Sequence, residues 1–206
     1  MLKLILVDPN VGVCQAWEKY FGDLPNIQIV NDYFENLPEF DCMVSAANSF
    51  GLMDAGVDAA ITRFFRTQLV RCVQERILTD FRGEQPVGTS IIVETSHSQH
   101  PFLAHTPTMR VPMTIAHTDN VYLAMWAMLL TVQHHNDTNE QNIGTVACPG
   151  LGTATGHVPF REAERQMSLA HRNFLHPPQH IDWSFATERQ VSVRFGGDEG
   201  SKFPTD

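Results

Sequence analysis

The chain is poor in three things, and each shortage narrows the reading. Its four cysteines, Cys14, Cys42, Cys72 and Cys148, are widely separated and form no Cys-x-x-Cys pair. A disulfide framework and a zinc ribbon are therefore not expected, and the four read as reduced, buried thiols of a cytoplasmic protein. Basic residues are scarce, 14 Lys+Arg against 23 Asp+Glu for a formal charge of −9, which opposes attraction to nucleic acid or an anionic membrane. Long apolar runs are absent too. The most apolar stretch, VYLAMWAMLLTV from Val121 to Val132, falls short of the roughly 18 to 20 residues needed to cross a bilayer. The N-terminal MLKLILVDPN has neither the length nor the flanks of a signal peptide and reads as a first strand. None of this excludes a small phosphorylated ligand, because backbone N–H groups hold phosphate without lysine.

What is present is an alternation of short β-branched runs with helical periodicity. Strands are expected at Leu2–Val7, Ile27–Val30, Asp41–Ala47, Ser90–Glu94, Phe102–Thr106 and Gly144–Ala147. Helices are expected over Val11–Gly22, a long Val57–Leu78, Asn120–Gln133 and Phe160–Phe174. Strands alternating with helices imply an α/β fold, a three-layer α/β/α sandwich with a mostly parallel central sheet. At 206 residues the chain suits one domain over 1–190, with 191–206 as a C-terminal strand or loose tail.

Two junctions from strand to helix carry the chemistry. In the first, DCMVSAANSFGLMDAGVDAAI, the strand ends in Ser45, Ala46, Ala47 and Asn48, residues with so little bulk that a crevice opens at the carboxyl edge of the sheet. In the second, PGLGTATGHVPFREA, Gly150, Gly152 and Gly156 precede a helix; such glycines allow positive φ and close backbone approach to a ligand. Two loops of this kind facing each other would grip a diphosphate.

These residues resemble the macro domain family over about residues 27–175. Val44-Ser45-Ala46-Ala47-Asn48 is similar to its Val-Asn-Ala-Ala-Asn strand end, Gly56-Val57-Asp58-Ala59-Ala60-Ile61 to its Gly-Val-Asp-x-Ala-Ile helix start, and Pro149-Gly150-Leu151-Gly152-Thr153 to its Pro-x-Ile-Gly-Thr-Gly loop. FLAHTPTMRVP resembles the family's central strand, with His105 and Thr106 packed inside. Ser45 stands where the family carries Asn, Met53-Asp54-Ala55 where it carries a glycine run, and Thr62 where many hydrolytic members have His.

The resemblance implies that ADP-ribose or an ADP-ribosylated substrate is the partner and that no cofactor is needed. It implies that Asp32 accepts a hydrogen bond from the adenine amino group, with Tyr33 making backbone contacts to the ring. Ala46, Ala47, Asn48, Gly56 and Val57 would contact the ligand from the first loop, and Pro149, Leu151, Gly152, Thr153, Ala154, Thr155, Gly156 and His157 from the second. The catalytic pair it implies is Asn48, fixing the distal ribose, and Asp58, polarising a water for attack at the anomeric carbon. A non-catalytic reader of ADP-ribose or of an NAD-derived signal, and a phosphatase or esterase on a small ADP-ribose derivative, are the alternatives. The segment before Asn31 looks like an addition to the smallest version of the fold, and Trp183 and Phe185 are candidates for stacking on adenine. Histidines at 97, 100, 105, 134 and 135 lack carboxylate or thiolate partners at ligand spacing, so no metal site is expected.

Overall fold

The computed structural model describes residues 2–197. Its strands are β1 (Lys3–Val7), β2 (Ile27–Val30), β3 (Cys42–Asn48), β4 (Ile91–Glu94), β5 (Phe102–Met109) and β6 (Thr145–Cys148). Its helices are α1 (Val11–Phe21), α2 (Gly56–Phe65), α3 (Gln68–Phe81), α4 (Asn120–Thr138), α5 (Phe160–Leu175) and α6 (Trp183–Val193). The strands form one sheet in the order β2-β1-β6-β3-β5-β4. All neighbours run parallel except β4, which is antiparallel to β5 at the edge. The α/β sandwich expected from the sequence is therefore the observed fold.

Side chains alternate between the two faces of each strand, and two cores follow from that alternation. Leu4, Leu6, Val44, Ala104, Val146 and Cys148 point towards α1, α4 and α5, where Trp17, Met125 and Met167 close the layer. Ile5, Val7, Met43, Leu103 and Ala147 point the other way, onto Ile61 and Phe65 of α2 and Leu69, Val73 and Ile77 of α3. With helices on both faces, β5 is buried along its whole length. Among the described residues no helix is long and apolar enough to cross a membrane.

Three differences from the sequence reading have local causes. The single helix expected over 57–78 is two, because Arg66 adopts φ +73 and breaks the backbone hydrogen-bond ladder between Phe65 and Gln68. No glycine or proline marks that break. Helix α6 was not expected: only its last residue, Val193, is buried, so it has little apolar periodicity to read. Cys72 is half-buried rather than buried, while all four cysteines are free. The segment before Asn31 is integral to the sheet, with β1 lying between β2 and β6. Of the expected 191–206 tail, residues 191–193 end α6 and the Ser192 and Arg194 carbonyls accept hydrogen bonds from Arg165 (2.8 and 2.9 Å); the part beyond Gly197 lies outside the described residues.

The junction of β3 and β5 has one irregularity. Their register shifts between Ala47 and Asn48, opposite Pro107; proline has no N–H to give the ladder, so interior strand prolines go with such shifts. The bulge falls at the carboxyl edge of the sheet, where the two chemistry-bearing loops begin.

Candidate active site

A cleft of about 390 Å³ runs across the carboxyl ends of the central parallel strands, within the roughly 300 to 1,000 Å³ typical of small-ligand pockets. One end is made by Val7, Asp8 and Pro9 after β1 together with Tyr33 and Phe34. The middle lies between Gly56 and Val57 at the start of α2 and the Pro149–Gly156 loop. The other end carries Ala46, Asp58, Thr108 and Met109. A larger and more open groove of about 830 Å³ follows the edge strand β4. It lies at the edge of the sheet, away from the two glycine-bearing loops, and the guanidinium of Arg76 reaches across to the Ile92 carbonyl. The chemistry therefore belongs to the strand-end cleft.

The first loop is braced from within. The Asn48 side chain accepts hydrogen bonds from the N–H groups of Phe50 (3.0 Å) and Leu52 (3.3 Å) and donates to the Leu52 carbonyl (2.8 Å). Thr62 Oγ1, nearly two turns into α2, donates to the Met53 carbonyl (2.8 Å). Helix α2 then starts at Gly56, whose φ of +55 favours glycine. The first amides of a helix lack intrahelical partners, and here Gly56 and Val57, at the start of α2, line the cleft.

The second loop is compact enough to need glycine. A Cβ at Gly156 would lie 2.5 Å from the Gly152 carbonyl oxygen, and one at Gly152, where φ is +71, would lie 2.8 Å from Val121. Thr153 Oγ1 donates to the Gly150 carbonyl (3.1 Å), and the Gly150 N–H reaches Asp8 Oδ2 (3.3 Å). Asp8 also accepts from the Asn10 N–H (2.8 Å). Burial pushes its carboxyl above the usual carboxylate range, and these two backbone hydrogen bonds oppose the shift.

Asp58 is the one acidic side chain brought to the Thr108 end. It is 6% exposed, and its Oδ1 accepts a hydrogen bond of 2.7 Å from Ser45 Oγ on β3. Burial pushes its carboxyl up to about 6; the Ser45 hydroxyl lowers it and the nearby charge of Asp54 raises it. A carboxylate tuned to that range exchanges protons near neutrality, as a general base must.

Of the residues singled out from sequence, the cleft wall takes in Tyr33, Ala46, Gly56, Val57, Asp58, Pro149, Gly152, Thr153, Ala154, Thr155 and Gly156. Asp32, Ala47, Asn48, Leu151 and His157 do not line it. Leu151 and Ala47 belong to the interior, His157 turns outward at φ +51, and Asn48 braces its loop. Asp32 stands one residue from the wall, where its Oδ1 accepts from Tyr33 N–H (2.7 Å) and Asn36 Nδ2 (2.8 Å). Asn31 Nδ2 ties this turn to the Asp8 carbonyl (2.9 Å). Trp183 is 87% exposed on α6, and neither it nor Phe185 reaches the cleft.

Sequence reasoning missed Val7, Asp8 and Pro9, Phe34 and Glu35, Arg63, and Thr108 and Met109 as wall residues. The strand-terminating Asp-Pro after β1 was the available signal. Among the described residues no group of three His, Cys, Asp or Glu side chains is placed to hold a metal ion. His100 instead stacks on Phe40 with ring centroids 3.9 Å apart.

A family model, the Macro domain, matches residues 44–167. An uncharacterised protein of Aquifex aeolicus is 30% identical over 134 residues, 65% of this chain and 74% of its own length. One of Aeropyrum pernix is 25% identical over 130 residues, 63% of this chain and 62% of its own. Among solved structures, the macrodomain of Mycobacterium tuberculosis DarG superposes with a TM-score of 0.55 at 18% identity, covering 66% of this chain and 83% of that one. The Oceanobacillus iheyensis macrodomain with ADP gives 0.59 at 22% over 71% and 75%. The Trypanosoma brucei macrodomain in complex with ADP-ribose gives 0.52 at 20% over 68% and 53%. The family match spans the first loop, α2, the buried β5 and the glycine loop that together wall the cleft, and the chain belongs to the macro domain family.

Proposed function

We propose that the cleft binds ADP-ribose and that the chain hydrolyses an ADP-ribosyl linkage, on a protein or a small molecule, with Asp58 as the base. The observation that carries this reading is the Asp58 carboxylate, buried and held by Ser45 at the end of a cleft whose middle offers backbone amides rather than lysines. Related macrodomains have been solved with ADP and with ADP-ribose, which supports the choice of ligand. In this reading the diphosphate lies between the α2 start and the Gly152 loop, where N–H groups offset its charge. The adenine lies towards Asp32, Tyr33 and Asp8, and the distal ribose towards Asp58.

The reaction follows from that placement. Asp58 takes a proton from a water whose oxygen bonds to the anomeric carbon, while the bond from that carbon to the acceptor breaks and the acceptor leaves with the electron pair. The proton on Asp58 then passes to the acceptor or to solvent. Asn48, by fixing the 49–52 loop, would hold the ribose end of the cleft in shape.

Calorimetric titration with ADP-ribose, with AMP and NAD as controls, tests the binding half. Affinity at micromolar level or tighter is expected, about 8 kcal/mol or more. An absence of heat, or equal affinity for AMP, would overturn the assignment. The adenine end has its own test. Asp32→Ala is expected to weaken ADP-ribose binding by about 1 to 3 kcal/mol through loss of a charge-assisted hydrogen bond. Unchanged affinity in the folded variant would move the adenine contact to Asp8.

A further inference from the structure

We propose that Ser45 is a positioning residue for the reaction, its hydroxyl fixing the Asp58 carboxylate towards the cleft and keeping it ionised at working pH. The inference rests on the hydrolytic reading above.

When Asp58 is ionised the hydrogen bond has one sense. An ionised carboxylate only accepts, so the 2.7 Å contact is Ser45 Oγ–H donating to Asp58 Oδ1. Ser45 is fully buried, so no solvent water competes for its hydroxyl. A buried hydrogen bond of this kind gains from the low local dielectric. The donor also sits on a rigid element, because β3 is paired with β5 through this residue and beyond it.

The neighbouring residue on the sheet cannot take over the task. Ser45 is the register partner of His105, so the two side chains leave the same face of adjacent parallel strands. Gln85 Nε2 donates to the His105 carbonyl (3.2 Å), which presents Gln85 Oε1 to His105 Nδ1 at 2.7 Å. That oxygen can only accept, so Nδ1 carries the ring proton and Nε2 has none to offer. Burial also holds the imidazole down at about 3, so it is neutral. His105 Nε2 has no hydrogen-bond partner, and the ring supplies Asp58 with neither a donor nor a positive charge.

The remaining charged groups around Asp58 do not substitute either. Asp54, on the loop before α2, works against ionisation. Arg63 of α2, on the cleft wall, makes no hydrogen bond to Asp58 among the described residues. Ser45 is thus the group on the sheet that orients this carboxylate.

The test compares wild type with Ser45→Ala and with Ser45→Cys, which is nearly the same size and a weak donor. Three quantities are read on the full chain: the Asp58 carboxyl titration by ¹³C NMR, the pH profile of ADP-ribosyl release, and ADP-ribose affinity as a check of fold. Because the hydroxyl favours the charged form, its loss raises the carboxyl's titration midpoint, by about one pH unit in Ser45→Ala. The acid limb of kcat/KM should move up by the same amount, and kcat should fall about tenfold while affinity stays within about threefold. Ser45→Cys should lie between. An unmoved midpoint and acid limb in both variants would overturn the proposal. If the midpoint moves but wild type releases nothing, the hydrolytic reading falls and with it the catalytic meaning of Ser45, while its coupling to Asp58 stands.

Discussion

Replacing Asp58 with asparagine is expected to lower the rate of ADP-ribosyl release about 100-fold or more, the size usual for loss of a general base, while ADP-ribose affinity stays within a few-fold. Both halves follow from geometry. The carboxylate stands at the Thr108 end of the cleft, where we place the distal ribose, and its Oδ1 is occupied by Ser45, so asparagine keeps the shape and the Ser45 contact but cannot take a proton. An interaction needed only in the transition state shows in kcat, not in binding. Wild-type activity should rise with pH and level off above about 6, where the Asp58 carboxyl ionises. Release should be measured from a modified protein and from a small ADP-ribose ester, beside calorimetry. A fully active variant would reduce Asp58 to a helix-start residue. A wild type that binds ADP-ribose but releases nothing from either substrate would make the chain a reader.

A second large effect is expected far from turnover, at Glu164. This residue of α5 is fully buried beneath the carboxyl ends of β1 and β6. Burial and the charge of Asp8 push its carboxyl well above the usual range. Trp17 Nε1–H lies near enough to favour the charged form slightly, yet neither it nor either Glu164 oxygen makes a hydrogen bond. Glu164 therefore holds its proton in the fold to a higher pH than in the unfolded chain, where a glutamate ionises near 4.5. The native state then holds a proton that the unfolded state releases, so wild-type stability falls as pH rises through that window. Glu164→Gln, neutral in both states, removes this slope. Relative to wild type, the variant should gain about 1.4 kcal/mol per pH unit above 4.5, for as long as Glu164 stays protonated in the fold. Urea denaturation of both proteins at pH 4.5, 5.5 and 7 reads the difference directly. A difference that does not change with pH would mean that Glu164 is ionised in the native state.

The sequence disclosed most where local chemistry sets the structure. Each of the six strands lies within a few residues of its β-branched run, and the Gly152 loop was legible because a loop that tight admits no side chain at Gly156. Ser45 through Asn48 marked the crevice because small residues leave space. What escaped was set by distant contacts or by backbone strain. Arg66 takes a left-handed conformation without the glycine that would announce it. Asp8 and Pro9 reach the cleft only because β1 pairs with β6, whose sequence lies some 140 residues further on. Asn48 was legible as important, but its hydrogen bonds serve its own loop. The partnership of Ser45 with Asp58 joins residues on different elements, and no spacing rule reveals it.

The strand order also sets a timetable for the molecule's making. β6, the last strand among the described residues, lies between β1 and β3. A nascent chain emerging from the ribosome can pair β1 with β2 and β3 with β5 early. These halves have no shared border until residues 145–148 arrive to join them. Non-local pairings of this kind slow folding because the intervening chain must be ordered first. Until then both halves present the open flanks of β1 and β3, the unpaired strand edges that make partly synthesised chains prone to aggregate. The cleft comes into being at that same late step, since its walls are contributed by both halves and by the loop that leaves β6. Any shortened chain ending before β6 would thus lose the binding site entirely, however well its two halves had formed.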